Sequence, residues 1–89
     1  MPEMPESLHD RWTYLVEAIR QECGDHGQHP DMLEVDETTL KARLPIDADA
    51  WHSEWFRPEA IMRDNPAEMA ARFYERYHEA REAEGQAPP

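Results

Sequence analysis

The first strong pattern along the chain is an apolar stripe with helical spacing near its start. The apolar residues of this stripe are Leu8, Trp12, Leu15, Val16, Ile19 and Cys23. Their recurrence three or four residues apart is typical of an amphipathic helix. Ser7 can cap that helix with Asp10 at its third position, and Gly24 stands where a left-handed residue commonly closes a helix. We therefore predict a first helix from about Leu8 to Cys23.

A change from helical to alternating spacing follows the polar loop over 24–31. The apolar positions that alternate are Leu33, Val35, Leu40, Ala42 and Leu44. Two short strands joined by the polar connection 36–39 account for this alternation and predict a β-hairpin, although the connection lacks the glycine that tight hairpins favour. A short helix over 36–44 is the alternative, because residues 41–43 form helices readily.

Prolines divide the second half of the chain into separate elements. Asp47 can cap a short aromatic helix that contains Trp51 and Trp55. That helix is expected to stop before Pro58, since the residue ahead of a proline avoids helical geometry. One further helical turn is predicted over 58–62, so two short segments separate the hairpin from the end of the chain.

The last helix has a clear start signal in the sequence. Asn65 can act as its cap, Pro66 as its first residue and Glu68 as its third. Its apolar residues, four apart, are Met69, Phe73 and Tyr77. Glu68 and Arg72 have the spacing of an ion pair on a solvated face. We predict a helix from this start to about Glu82.

These elements predict a small α+β domain in the order helix, β-hairpin, short aromatic helix and long C-terminal helix. The compact domain is expected over 7–84, with a flexible lead over 1–6 and a flexible tail over 85–89. Both long helices are expected to pack on one face of the hairpin. The predicted centre of the core is Trp12, Ile19, Leu33, Val35, Leu40, Leu44, Phe73 and Tyr77. An all-α bundle is the alternative if the hairpin segment is helical.

Composition limits the partners that so small a chain can take. The 89 residues carry 9 basic and 20 acidic side chains, a formal net charge of −11. This charge argues against direct binding of nucleic acid or of an anionic membrane, because both present phosphates that the chain would repel. No apolar run approaches the roughly 18 residues that span a bilayer. The single cysteine, Cys23, excludes an internal disulfide and favours a reducing compartment, the cytoplasm.

The excess of carboxylates predicts a larger protein with a basic surface as the partner. A rigid acidic surface steers rapidly to a cationic site, and spaced carboxylates can take the place of phosphates in a nucleic-acid-binding groove. We therefore expect a non-enzymatic inhibitor or modulator, with the general character of small phage- or plasmid-encoded inhibitors and immunity proteins. The predicted contact residues are Glu34, Asp36, Glu37, Asp47, Asp49, Trp51, Glu54, Trp55 and Phe56. The alternative is that the acidity serves only solubility or adaptation to salt.

The aromatic segment over 51–57 is the second unusual feature. Aromatic residues and arginine dominate binding hot spots, so exposed tryptophans in this segment would anchor a partner. The alternative is that the rings close the core, or that Trp51 lies inside and Trp55 partly outside. A docking patch of Trp51, Trp55 and Ile61 would suit an accessory subunit of an enzyme or larger assembly. A chain this short also leaves a homo-oligomer open.

A cysteine and two histidines in and beside the first loop form a candidate metal motif. Cys23, His26 and His29 stand three apart, and a thiolate with imidazoles is a zinc ligand set. Structural zinc sites usually take a second ligand pair from a separate segment, which the chain does not offer. A buried inert thiol beside two loop histidines is therefore the preferred interpretation, and a small metal-binding protein the alternative. No motif for a phosphate cradle or a nucleophile elbow is present, so we predict neither catalysis nor a cofactor.

Overall fold

The computed structural model describes residues 7–85 and confirms the predicted α+β class. In chain order the elements are α1 (Leu8–Asp25), a short 3-10 helix (Pro30–Met32), β1 (Glu34–Asp36), β2 (Lys41–Pro45), β3 (Trp51–Trp55), α2 (Pro58–Arg63) and α3 (Pro66–Gly85). The three strands form one antiparallel sheet in the order β1-β2-β3, which excludes the all-α bundle. The predicted lead over 1–6 and the last four residues of the predicted tail lie outside the described range.

Helix α1 begins as predicted and ends two residues later than predicted. The Ser7 hydroxyl accepts a hydrogen bond from the Asp10 amide at 3.1 Å, which is the expected cap. At the other end Gly24 stays inside the helix, and the left-handed residue is Gly27 with φ of 79°. The His26 ring stacks on Tyr74 of α3 with centroids 4.3 Å apart. This contact stabilises the end of the helix, where the amides of His26, Gly27 and Gln28 donate to carbonyls of the last turn.

The predicted hairpin of β1 and β2 is confirmed, with a four-residue connection that contains no glycine. Asp36 Oδ1 accepts a hydrogen bond from the Thr38 amide at 2.9 Å, which starts the turn. Leu40 then takes the left-handed conformation with φ of 55°, at a cost of about 1–2 kcal/mol for a residue with a side chain. Burial of the Leu40 side chain in the core offsets this cost.

The predicted short aromatic helix is wrong, because residues Trp51–Trp55 form strand β3. Every residue of this strand pairs with β2, from Pro45 opposite Trp51 to Lys41 opposite Trp55. Aromatic residues favour strands when a neighbouring strand is available for pairing. Asp47 therefore caps no helix. Its Oδ1 atom accepts a hydrogen bond from the Asp49 amide at 2.8 Å in the turn between β2 and β3.

The prediction for the last helix is confirmed at its start and in its surface ion pair. Asn65 Oδ1 accepts a hydrogen bond from the Ala67 amide at 2.8 Å, as a cap should. Glu68 and Arg72 pair at 3.7 Å on the solvated side. Helix α3 continues to Gly85, and the turn predicted over 58–62 is the short helix α2.

Helices α1 and α3 pack against each other and cover one face of the sheet. The buried cluster consists of Trp12, Leu15, Val16, Ile19, Cys23, Leu33, Leu40, Ala42, Leu44, Ile61, Met69, Ala70, Phe73, Tyr74 and Tyr77. Seven of the eight predicted core residues belong to it. The exception is Val35, which is 38% exposed. It lies on β1, the strand at the edge of the sheet, where all three residues are exposed. Its placement in the core was therefore wrong.

Candidate functional site

The face of the sheet that is turned away from the helices is the candidate binding surface. Ala42 and Leu44 of β2 are fully buried, so the alternation of a strand turns their neighbours to the opposite side. The pairing of the strands extends this alternation to β1 and β3. We define the outer sheet face by the residues Glu34, Asp36, Lys41, Arg43, Trp51, Ser53 and Trp55.

Two tryptophans dominate the outer sheet face. Trp51 is 38% exposed and Trp55 is 64% exposed, whereas Trp12 of α1 is buried. The sequence-based suggestion that Trp51 lies inside is thus corrected. Because the tryptophans stand four residues apart on one strand, both project from the same side of the sheet. Large aromatic surface left exposed on a small domain is typical of an interaction site.

Cationic side chains of β2 lie against both tryptophan rings. The Arg43 guanidinium carbon is 4.3 Å from the Trp51 ring centroid, and Lys41 Nζ is 4.8 Å from that of Trp55. Each contact is worth about 0.5–1 kcal/mol at an exposed position. These contacts restrict the orientation of both rings. Lys41 and Arg43 were not among the predicted contact residues, although their alternation with the buried Ala42 indicated this position.

Carboxylates border the outer sheet face on two sides. On the β1 side, Glu34 pairs with Arg43 at 2.7 Å and Glu37 pairs with His9. Asp36, the last residue of β1, also belongs to this side, and its carboxylate accepts a hydrogen bond from the turn that leads to β2. Asp47 and Asp49 lie in the turn that leads into Trp51 at the other end. Five carboxylates against the two cations of β2 leave the surface with a clear negative excess.

Two of the predicted contact residues lie on the other side of the sheet. The Glu54 side chain is only 17% exposed, accepts hydrogen bonds from Arg76 of α3 at 2.6 Å and 3.0 Å, and contacts His52 Nε2 at 2.7 Å. The hydrogen bond with Glu54 raises the pKa of Arg76 above its usual value. The Phe56 ring packs edge-on against the Trp12 ring, with centroids 6.0 Å apart. The structure therefore does not bring Glu54 and Phe56 together with the other predicted contact residues.

The candidate metal ligands are dispersed rather than gathered. Cys23 is fully buried in the core, His26 stacks on Tyr74, and His29 Nδ1 accepts a hydrogen bond from the Asp31 amide at 3.2 Å. Among residues 7–85, no group of three or more His, Cys, Asp and Glu side chains is arranged to hold a metal ion. The geometry gives no support to a metal centre at this loop.

Burial of two ionisable groups next to each other predicts a loss of stability in alkaline solution. Desolvation raises the pKa of the Cys23 thiol and of the Tyr74 phenol above their usual values. The unfolded chain therefore releases these protons first. The free energy of unfolding therefore keeps this full contribution below the usual thiol pKa of about 8.5. As the pH rises through the folded-state pKa values the contribution is lost, by at most about 1.4 kcal/mol per pH unit for each group.

We expect the urea midpoint to fall between about pH 8 and about pH 11, and to fall less in Cys23→Ala. Tyr74→Phe is the matched variant for the phenol, whose contribution begins at higher pH. Equal slopes in the wild type and in both variants would show that neither proton is responsible.

Comparison with known protein families, curated proteins and solved structures finds no match to this chain. Within residues 7–85, none of the helices has the length and apolar character needed to cross a membrane.

Proposed function

We propose that this protein is a non-enzymatic binding module that docks its outer sheet face on a basic surface of a larger protein and inhibits or modulates that protein. The observation that carries the proposal is the pair Trp51 and Trp55, held on an uncovered sheet face by cationic neighbours. Tryptophans on a rigid element bury a large area at small entropic cost, which makes them effective anchors. The domain thus offers a preformed contact surface.

The charge of the chain supports a cationic partner. The net charge of −11 attracts basic surfaces over several ångströms, and the carboxylates bordering the outer sheet face act at contact distance. A groove that normally binds nucleic-acid phosphates is one such surface, and the carboxylates would take the place of the phosphates. The buried Cys23 thiol suits a reducing compartment, and we propose the cytoplasm as the site of action.

The test is binding to the partner captured from the native host and then purified. We expect its affinity to fall at least about tenfold in Trp55→Ala and steeply between about 50 mM and about 500 mM salt. Tyr14→Ala is the matched control, because Tyr14 is an aromatic residue that is 51% exposed on α1, outside the outer sheet face. Unchanged binding by Trp55→Ala would contradict the proposal.

An accessory subunit of a larger assembly is the second candidate function. It shares the exposed tryptophans, but Ile61, its third predicted contact residue, is buried in the core. Such a subunit would bind through apolar contact alone. A loss of affinity in Trp55→Ala together with a flat salt response would favour this alternative over a basic partner.

A further inference from the structure

Among residues 7–85, no strand pairs with the outer edge of β3. The Phe56 amide donates to the Leu40 carbonyl at 2.9 Å and the Ile46 amide donates to the Ala50 carbonyl at 2.8 Å. These bonds show that the even-numbered residues of β3 pair with β2. By the alternation of an antiparallel ladder, the amides and carbonyls of Trp51, Ser53 and Trp55 point away from β2.

Strand β3 has few of the features by which proteins usually protect a sheet edge, since its one acidic residue, Glu54, is turned toward the helices and paired with Arg76. It has five residues and contains neither lysine nor proline. Protected edges are short, charged or interrupted by proline. The other edge strand, β1, fits that description, since it has three residues and carries Glu34 and Asp36. No hydrogen bond within residues 7–85 reaches the outward backbone groups of β3. The edge is thus open to an added strand.

The side chains of β2 indicate what a strand on the open edge should present. Lys41 and Arg43 lie against the tryptophan rings from the β2 side. A strand on the opposite side of β3 would meet the remaining ring surfaces with its own outward side chains. Cations at those positions would repeat the contacts of β2 and would match the negative excess of the outer sheet face.

The side of β3 that is turned toward α3 determines which side chains suit the remaining positions of an added strand. Arg57, Arg72 and Arg76 line a cleft beside Glu54 and Trp55 at this end of β3. The Glu54 carboxylate is already paired with Arg76. The three arginines outnumber the two carboxylates of the cleft, Glu54 and Asp64, so basic side chains of an added strand that pointed toward α3 would meet a net positive charge. Small or apolar residues suit those positions, as Ala42 and Leu44 do in β2.

We propose that the open edge of β3 takes up an extended basic segment of the partner protein as a fourth strand. Lysine or arginine at every second position of that segment lies over Trp51 and Trp55, and the residues between them are apolar. Backbone pairing with Ser53 at the centre supplies the affinity, and the cation–aromatic contacts supply the specificity. This inference rests on the proposed function, because it assigns to the basic partner its docking element.

The experiment titrates the ¹⁵N-labelled protein with synthetic heptapeptides that have blocked ends. The probe alternates lysine and valine, a second peptide groups the same lysines and valines in two blocks, and a third carries glutamate in place of lysine. We expect the alternating basic peptide to bind at least about tenfold more tightly than the other two and to slow hydrogen exchange at the amides of Trp51, Ser53 and Trp55. The proposal is overturned if the peptide with grouped lysines and valines binds as tightly as the alternating one. It is also overturned if the alternating peptide gives no protection at these amides.

Substitution of Ser53 separates strand addition from docking on the outer sheet face. Ser53→Pro removes the outward amide without removing a hydrogen bond to β2, whereas Ser53→Thr keeps the amide. We expect only Ser53→Pro to lose the peptide, by about tenfold or more. If Ser53→Pro binds the peptide and the purified partner as well as the wild type, strand addition fails and the proposed function stands.

If Trp55→Ala also binds the purified partner unchanged, both fail. Should Ser53→Pro not fold, the exchange measurement on the wild type still decides the question. Sedimentation of the free wild type as a dimer that Ser53→Pro dissociates would instead assign the edge to a second copy of the chain.

Discussion

Phe73→Ala is expected to lower the free energy of unfolding by about 3–5 kcal/mol, the largest effect of any substitution considered for this domain. Phe73 of α3 is completely buried. The centroid of its ring lies 6.2 Å from that of Phe56 and 5.5 Å from that of His52. Removal of the ring leaves a cavity between α3 and β3. Urea unfolding followed by tryptophan fluorescence measures the loss.

The size of the domain makes this loss severe. A domain of this length has only a few kcal/mol of net stability, so the variant is expected to be largely unfolded at physiological temperature. Phe73→Leu keeps most of the volume and is expected to lose less than half as much. Tyr14→Ala, an exposed aromatic residue on α1, should change stability by less than about 0.5 kcal/mol. A loss below about 1 kcal/mol in Phe73→Ala would show that the core is not centred on this ring.

The parts of the fold that the sequence predicted are those fixed by local rules. The cap at Ser7, the cap at Asn65 and the apolar spacing of α1 and α3 each specify a helix within a few residues. The alternation of Leu40, Ala42 and Leu44 likewise specified β2. The helix signals require no knowledge of distant residues, whereas the strand was decided against the short helix over 36–44 only by its pairing in the sheet.

The sequence does not predict that Trp51–Trp55 form a strand, because the apolar residues of this strand face outward and its polar residues face inward. Residues four apart share a face in a helix and in a strand, so the spacing of Trp51 and Trp55 fits both. The inward positions hold His52 and Glu54. Glu54 is paired with Arg76 of α3, and His52 is paired with Glu54 while its ring packs against Phe73. A strand with apolar residues outside and polar residues inside departs from the usual alternation.

That departure also explains which part of the candidate site was found. The tryptophans were identified from residue type, since large aromatic residues are unusual in so charged a chain. Glu54 was predicted as one of the carboxylates that flank the aromatic residues of the contact surface, whereas the strand turns it toward Arg76. Lys41 and Arg43 entered the site only once the register of β2 with β3 was known. Conflicts between local pattern and fold of this kind are expected at functional surfaces.

Tyr77→Phe is expected to destabilise the domain by about 1–3 kcal/mol although it removes a single oxygen atom. Tyr77 is buried, and its hydroxyl donates to the Pro45 carbonyl at 2.9 Å and accepts from Gln28 Nε2 at 2.9 Å. It thereby joins α3 to the end of β2 and to the loop after α1. Phenylalanine leaves the Pro45 carbonyl and the Gln28 amide without these partners. Urea midpoints of the variant and the wild type measure the difference.

The Gln28 side chain provides the matched control for this prediction. Its Oε1 atom is buried and has no hydrogen-bond partner among residues 7–85, so the Gln28 amide is itself only half satisfied. Gln28→Leu removes that unsatisfied oxygen and leaves the Tyr77 hydroxyl free to donate to Pro45. We therefore expect Gln28→Leu to change stability by less than about 1 kcal/mol, and Tyr77→Phe to cost less in the Gln28→Leu background than in the wild type. Equal costs in the two backgrounds would mean that the bond from Tyr77 to Pro45 carries the whole effect.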